Sequence, residues 1–264
     1  MKLSIVTPCF NSEKTIERTI KSVVEQDLSC ELEYIIVDGK SSDNTCSIIK
    51  KYAERYPFIK WVSESDKSMT EALNKGLRKA SGDILASINA DDMYLPGTLE
   101  KVHMFFETNQ DRKVCLINNY FVEESTQRVL SKNMPRLFNE LICGLIECPL
   151  PECGIFFARE CIDNVGLFNE QIKYTQDMEL YLRIYKAGYK FHYSNIDASV
   201  FFRSDENYST TIGDKMDAEV CTYYKYPKLF KLFSNSIASK LIKITLGIRR
   251  YYLSDIRLEK IVNR

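Results

Sequence analysis

Four short β-type runs, each followed by a helix pattern, fill the first hundred residues of this 264-residue chain and leave few folds open to it. Leu3 to Thr7 is a β-branched run broken at Pro8 to Asn11, and a helix pattern follows with Ile16, Ile20, Val23 and Val24 on one face. Glu33 to Val37 forms the second run, closed by Asp38-Gly39. Ser41, Ser42, Asp43 and Asn44 then supply capping chemistry before Ile48, Ile49, Tyr52 and Ala53. Ile59 to Val62 is the third, with a helix presenting Met69, Leu73, Leu77 and Ala80 inward. Ile84 to Ile88 is the fourth, and it runs directly into Asn89-Ala90-Asp91-Asp92. Such alternation predicts an α/β fold with a Rossmann-like, mostly parallel, doubly wound sheet. In these sheets ligands sit beyond the carboxyl ends of the strands.

The polar residues concentrate at those ends. Thr7-Pro8-Cys9-Phe10-Asn11 follows the first strand and Asp38 ends the second. Glu64 to Lys67 follow the third, and Asp91-Asp92 the fourth. One rim therefore collects Asp38, Asp66, Asp91 and Asp92. Neighbouring carboxylates repel, so a semi-buried cluster needs a cation or hydrogen-bond donors to hold it. A hard divalent ion such as Mn²⁺ or Mg²⁺ uses one or two carboxylates plus phosphate oxygens. Taken alone, Asp91-Asp92 reads equally well as a polar turn capping the helix that begins near Pro96. Its place among three other strand-end motifs favours a ligand. The chain has no Gly-x-x-x-x-Gly-Lys-Ser/Thr loop and no Gly-x-Gly-x-x-Gly turn, so a nucleotide's pyrophosphate would need a metal for neutralisation. With only His103 and His192, a Ser-His-Asp triad is a poor fit, and charge and motifs give no support to nucleic-acid binding.

The segments TPCFN, EYIIVDGKSSDNT and SESDKSMTEALNKGLRKASGDILASINADD resemble the family 2 glycosyltransferases of the GT-A fold, closest to a subgroup of bacterial surface-polysaccharide synthesis. The likeness covers about residues 1–205. It implies that Thr7, Pro8, Phe10 and Asn11 line a base pocket, that Asp38 reads the base, often uracil, and that Asp66 lies in the donor site. It implies further that the Asn89-Ala90-Asp91 run contacts ribose and phosphate, and that Asp92, with Asp91, ligates the metal. Tyr174 to Leu180 resembles the segment carrying the catalytic base, here Asp177, with Glu179 next in line. The plainer reading of Asp177 is a helix cap, and a helix pattern runs from it through Leu182, Ile184 and Tyr185 to Gly188. Gly154 to Arg159 resembles the strand lining the acceptor side. These roles together describe a single displacement that inverts the anomeric carbon of a nucleotide-diphosphate sugar, a UDP-sugar above all, with a saccharide or lipid-linked saccharide as acceptor.

Three positions depart from the pattern. Glu152-Cys153 stands where subgroup members carry His-Gln, Ser68 replaces a Gly, and the late Arg-x-x-Gly-Gly-x-Ser segment survives only as Arg203 to Ser209. They bear on the acceptor rather than the donor. Two rival readings are a sugar nucleotidyltransferase and a catalytically inactive nucleotide-sugar-binding protein. The first wants a Gly-rich, basic loop that Thr7 to Lys14 does not provide, and intact Asp91-Asp92 with Asp177 weighs against the second.

Net charge is zero, yet residues 225–264 hold ten Lys/Arg against Asp255 and Glu259, leaving 26 Lys/Arg against 34 Asp/Glu in residues 1–224. Phe230, Phe233, Ile237, Leu241, Ile244 and Ile248 recur at helical spacing, with Lys228, Lys231, Lys243, Arg249 and Arg250 off that stripe. The expected organisation is a catalytic domain over 1–224, its nucleotide half ending near 110, and a basic amphipathic helix over 225–264. That helix would pack on the domain, on a second subunit, or on an anionic membrane face. No apolar run approaches the roughly 18 residues of a membrane span, and Lys2 before a short β run is not a signal peptide. Nine cysteines then read as reduced cytoplasmic thiols, and Cys143, Cys148, Cys153 and Cys161 match no metal-site spacing.

Overall fold

The computed structural model describes residues 1–135, 150–204, 215, 216, 219, 248–252 (backbone only) and 256–262. Strands β1 (Lys2–Cys9), β2 (Glu31–Asp38), β3 (Ile59–Ser63) and β4 (Ile84–Ser87) all run parallel, in the order β4-β1-β2-β3. They alternate with helices α1 (Ile16–Val24), α2 (Thr45–Arg55) and α3 (Met69–Lys79). Period-two alternation sends Leu3, Ile5, Tyr34 and Ile36 to one face of the sheet, where Ile16, Ile20, Val23 and Ile49 cover them. Val6, Ile35 and Val37 face the other way, under Leu73 and Leu77 of α3. Both faces are buried, as a parallel sheet requires. A Cβ at Gly76 would fall 2.3 Å from the Val6 side chain, so glycine alone lets α3 lie this close to β1.

Two expectations change here. Met69 is 40% exposed, because Ser68 caps α3 through the Glu71 N–H at 3.2 Å and leaves Met69 on the first, outward turn; Thr70 and Asn74 are buried instead. Ser41 does not cap α2; it binds Asp38. The sheet becomes mixed past β4. Beyond it come β5 (Met93–Tyr94), α4 (Thr98–Thr108), β6 (Val114–Glu123), β7 (Arg128–Pro135), β8 (Ile155–Ala158), α5 (Arg159–Val165), α6 (Gln176–Lys186) and β9 (Phe191–Arg203). The ten-stranded sheet continues β4-β8-β6-β7, with β8 antiparallel to both β4 and β6, and β9 pairs parallel to β6.

Residues 225–247, with Phe230, Phe233, Ile237, Leu241 and Ile244 of the expected stripe, lie outside the described residues. Ile248 does not continue a helix. It opens β10 (Ile248–Tyr252), antiparallel to β7, which would otherwise present an open edge. The short helix α7 (Glu259–Val262) follows, and Leu258 and Ile261 pack with Tyr120, Val122 and Phe202. Among the described residues no helix is long and apolar enough to cross a membrane. Cys9, Cys30, Cys46, Cys115, Cys153 and Cys161 are free thiols, whereas Cys143 and Cys148 fall outside the described residues.

Candidate active site

Parallel pairing brings Cys9, Asp38 and Ser63 level at the carboxyl ends of β1, β2 and β3, and Ser87 ends the neighbouring β4. The loops that follow share one rim. Its β1–β3 end is built around Asp38, which has no exposed surface. Oδ1 accepts from Ser41 Oγ at 2.5 Å and Cys9 Sγ at 3.7 Å, and Oδ2 from Ser41 N at 3.0 Å, Ser63 Oγ at 2.6 Å and Cys46 Sγ at 3.1 Å. Burial would raise this carboxyl, but those donors hold it below its ordinary range. Enclosed by these donors, Asp38 holds the β2–α2 loop in place. Thr7 is likewise buried, its Oγ1 3.0 Å from Tyr34 Oη, and Pro8 is buried in β1.

Phe10 stands out instead, 63% exposed. A Cβ built on Gly39 would lie 3.4 Å from its ring and 3.5 Å from Asp66 Oδ2, so Phe10, Gly39 and Asp66 meet. Asp66 Oδ1 takes Lys75 Nζ at 2.5 Å, while the buried Oδ2 has no hydrogen-bond partner among the described residues. Asn11, in the left-handed region at φ 48°, anchors the loop opposite: its N–H donates to Ser41 Oγ at 2.8 Å, and its Oδ1 accepts from Ser42 N at 2.9 Å.

At the β4 end, Asn89-Ala90-Asp91-Asp92 forms a turn closed by Asp92 N–H to Asn89 O at 3.1 Å. Helix α1 clamps it from below. Arg18 donates to Asp91 O at 2.6 Å while paired with Glu124 and lying 3.5 Å from the Phe202 ring centroid. Thr19 Oγ1 donates to Asp92 O at 2.7 Å. The turn points its two acids differently. Asp91 is half-buried at the rim, whereas Asp92 is 1% exposed and faces inward, Oδ1 accepting from Phe202 N at 3.3 Å. Burial first, then the charge of Asp91, keep the Asp92 carboxyl well above the carboxylate range. The expected ligand pair thus divides, with Asp91 at the rim and Asp92 behind it. Ala90 is buried, and Asn89 Oδ1 has no partner among the described residues.

Asp177 enters from the first turn of α6. Its Oδ1 accepts from Met178 N at 2.7 Å, and Thr175 rather than Asp177 occupies the cap position. Burial pushes it up to about 6, against the pull of the Met178 N–H. The loop leading to it is fastened by Glu219, which accepts from the N–H groups of Lys173, Tyr174 and Thr175 at 2.8–2.9 Å. Glu179 is excluded as a substitute: it pairs with Arg183 Nε at 2.8 Å, and Arg183 in turn donates to the carbonyls of Val165 and Leu167. Within reach of both Asp91 and Asp177 is a carboxyl that the sequence showed only as a departure from pattern. Glu152, in the 3-10 turn Glu152–Gly154, is buried, and burial with the charges of Asp177 and Asp91 pushes it up to about 7.

Among the described residues, no three His, Cys, Asp or Glu side chains are gathered into a ready-made metal cage. Mg²⁺ or Mn²⁺ bound with a substrate diphosphate needs none, since one or two carboxylates suffice beside phosphate oxygens. The rim fits such an ion: Asp91 is half-buried there with its backbone fixed by Arg18, and unsatisfied acceptors of Asn89 and Asp92 adjoin it.

A model of Glycosyl transferase family 2 matches residues 4–161. EpsE of Bacillus subtilis, a protein named as a glycosyltransferase, is 33% identical over 195 residues, covering 72% of this chain and 68% of EpsE. Chondroitin synthase of Escherichia coli is 24% identical over 266 residues, which is 96% of this chain and 34% of that one. Against other curated relatives as well the chain spans about half their length, 47% and 53% in two cases. S. aureus TarS 1-349 in complex with UDP-GlcNAc superposes with a TM-score of 0.66 at 20% identity, covering 92% of this chain and 70% of that one. A mannosyltransferase from Pyrobaculum calidifontis in complex with GDP-Man and Mn²⁺ gives 0.60 at 21% identity, over 82% and 60%. These two likenesses establish the GT-A fold.

Proposed function

We propose that this chain, which belongs to glycosyl transferase family 2, transfers a sugar from a nucleotide-diphosphate sugar, in the first place a UDP-sugar, to a saccharide or lipid-linked saccharide. The observation that carries this reading is a half-buried Asp177 held near 6 on the same rim as Asp91. Asp177 accepts the proton of the attacking hydroxyl. As that oxygen bonds to the anomeric carbon, the bond to the diphosphate breaks on the opposite face, so the centre inverts. A carboxyl poised near neutrality suits a general base, worth about 10²–10⁴-fold. Asp91 would hold Mn²⁺ or Mg²⁺ together with the donor's phosphates, and the ion would supply Lewis-acid neutralisation of the leaving charge. Phe10, Gly39 and Asp66 form the nucleoside end, with Asp66 Oδ2 offering an acceptor to a base N–H.

Relatives bound to UDP-GlcNAc and to GDP-Man with Mn²⁺ support a nucleotide-sugar donor, and the chondroitin synthase likeness supports a role in polysaccharide synthesis. The basic segment 225–264 suits an anionic lipid surface where a lipid-linked acceptor would sit. Co-sedimentation of the full chain with anionic vesicles, lost at high salt, is the expected sign; salt-independent or absent sedimentation contradicts it. For the activity itself, release of nucleoside diphosphate is measured from a panel of UDP- and GDP-sugars with Mn²⁺. At least one donor is expected to turn over in the wild type. A panel inert with and without Mn²⁺, alongside no nucleotide binding, would sink the reading.

A further inference from the structure

Glu152 is built unlike the sealed carboxylates Asp38 and Glu33, and shares with Asp92 a buried oxygen that has no hydrogen-bond partner among the described residues. Asp38 is met by five donors, and Glu33 by Ser4, Lys60 and two groups of Ser81. Glu152 has the Ser87 hydroxyl, and its buried Oε1 has no hydrogen-bond partner among the described residues. An unpaired buried acceptor of this kind costs stability, more so when charged. Its backbone is not free to turn away. Gly154 N–H donates to Pro151 O at 2.8 Å, and a Cβ at Gly154 would lie 2.5 Å from Asn119 Nδ2, so the turn is wedged against β6.

The register fixes where that acceptor lies. β8 runs antiparallel to β4, with Ala158 opposite Ile84 and Phe157 opposite Leu85, so the turn that begins β8 stands beside the carboxyl end of β4. The charges of Asp91 and of Asp177 both act on Glu152, so it lies within reach of both. Gln176 Oε1, also buried, likewise lacks a partner among the described residues. In an in-line displacement the transferred sugar occupies the space between leaving diphosphate and base, and its hydroxyls are the O–H donors available there.

We propose that Glu152 accepts a hydrogen bond from a hydroxyl of the sugar being transferred and helps determine which sugar is taken. This rests on the transfer reading above. To the extent that Glu152 and Asp177 carry charge they would disfavour a further carboxylate, so a neutral or N-acetylated donor sugar is expected ahead of a uronic acid.

The test is calorimetric binding, with Mn²⁺, of UDP, UDP-glucose, UDP-galactose, UDP-N-acetylglucosamine, UDP-glucuronic acid, GDP and GDP-mannose to wild type, Glu152→Gln and Glu152→Ala. The neutral sugar that binds best to wild type should lose its advantage over the bare nucleotide by about tenfold or more in Glu152→Ala and by less in Glu152→Gln. The bare nucleotide should bind all three proteins within about twofold, which also shows the variants folded. An unchanged sugar preference overturns the proposal, as does an equal loss for the bare nucleotide, which would put Glu152 at the diphosphate. Failure of wild type to bind either UDP or GDP would instead strike the transfer reading, and this proposal with it.

Discussion

The two ends of the same four parallel strands treat buried carboxylates in opposite ways. At the amino end, Glu33 accepts from Ser4 Oγ at 2.6 Å, Ser81 N at 2.7 Å and Lys60 Nζ at 2.6 Å. Burial alone would raise it, yet these partners bring it down to about 2. At the carboxyl end, Asp92, Glu152 and Asp177 are all raised, and Asp92 and Glu152 each keep an oxygen without a partner among the described residues. Satisfied carboxylates tie strands together, whereas unsatisfied ones cost stability and persist where a ligand completes them. Asp38 sharpens the point, because it sits at the carboxyl end and is nevertheless sealed. Position at the rim alone therefore does not leave a carboxylate unsatisfied.

The largest effect should come from the unsatisfied end. Asp177→Asn is expected to cut turnover by about two or more orders of magnitude with donor affinity nearly unchanged. Because burial disfavours its charge, the variant should melt no lower than wild type at pH 8. A base raised to about 6 is lost on protonation, so wild-type kcat/KM should fall as pH drops through about 6. A variant that keeps most of its turnover, or a profile flat to pH 5, would place the base elsewhere.

The sealed end should respond in stability instead. Glu33→Gln should destabilise by about 2 kcal/mol, read by urea unfolding, with donor binding intact. The sign in pH follows from its depressed value: the stabilisation is present above about 4.5 and is lost as pH falls toward about 2. Glu33→Gln should therefore show a weaker acid dependence than wild type over that interval. Equal dependence in both proteins would remove Glu33 from the satisfied class. The smallest effect is assigned to Phe10→Ala, a loss of about five- to tenfold in nucleotide affinity with no loss of stability, as expected for an exposed ring that stacks on a base. Unchanged affinity would leave Phe10 outside the nucleoside end.

The contrast also marks what a sequence reveals. Strands β1 to β4, the inward faces of α1 and α2, and the convergence of four loops on one rim follow from local periodicity, which reports burial two to four residues away. Asp38 and Asp92 could not be sorted that way. The donors that seal Asp38 come from Cys9, Ser41, Cys46 and Ser63, and the group that holds Asp92 inward is the backbone of Phe202, 110 residues on. Adjacent acids in one turn are also buried to different extents, which leaves Asp91 half-buried and Asp92 enclosed. Glu152 was visible as a departure from a family pattern, but its lack of partners is a property of packing against Asn119 and Ser87. Strand β10 was hidden because Ile248 fits a helical stripe, whereas the open edge of β7 that recruits it is more than a hundred residues away in the chain.

Calorimetric titration of a UDP-sugar into wild type, Asp91→Asn and Asp38→Asn, each with Mn²⁺ and with chelator, tests the division most directly. The division predicts that Asp91→Asn melts like wild type but loses the Mn²⁺-dependent gain in donor affinity, while Asp38→Asn melts lower and keeps that gain in its folded fraction. Mn²⁺-dependent binding that survives Asp91→Asn but vanishes in a fully stable Asp38→Asn would contradict it.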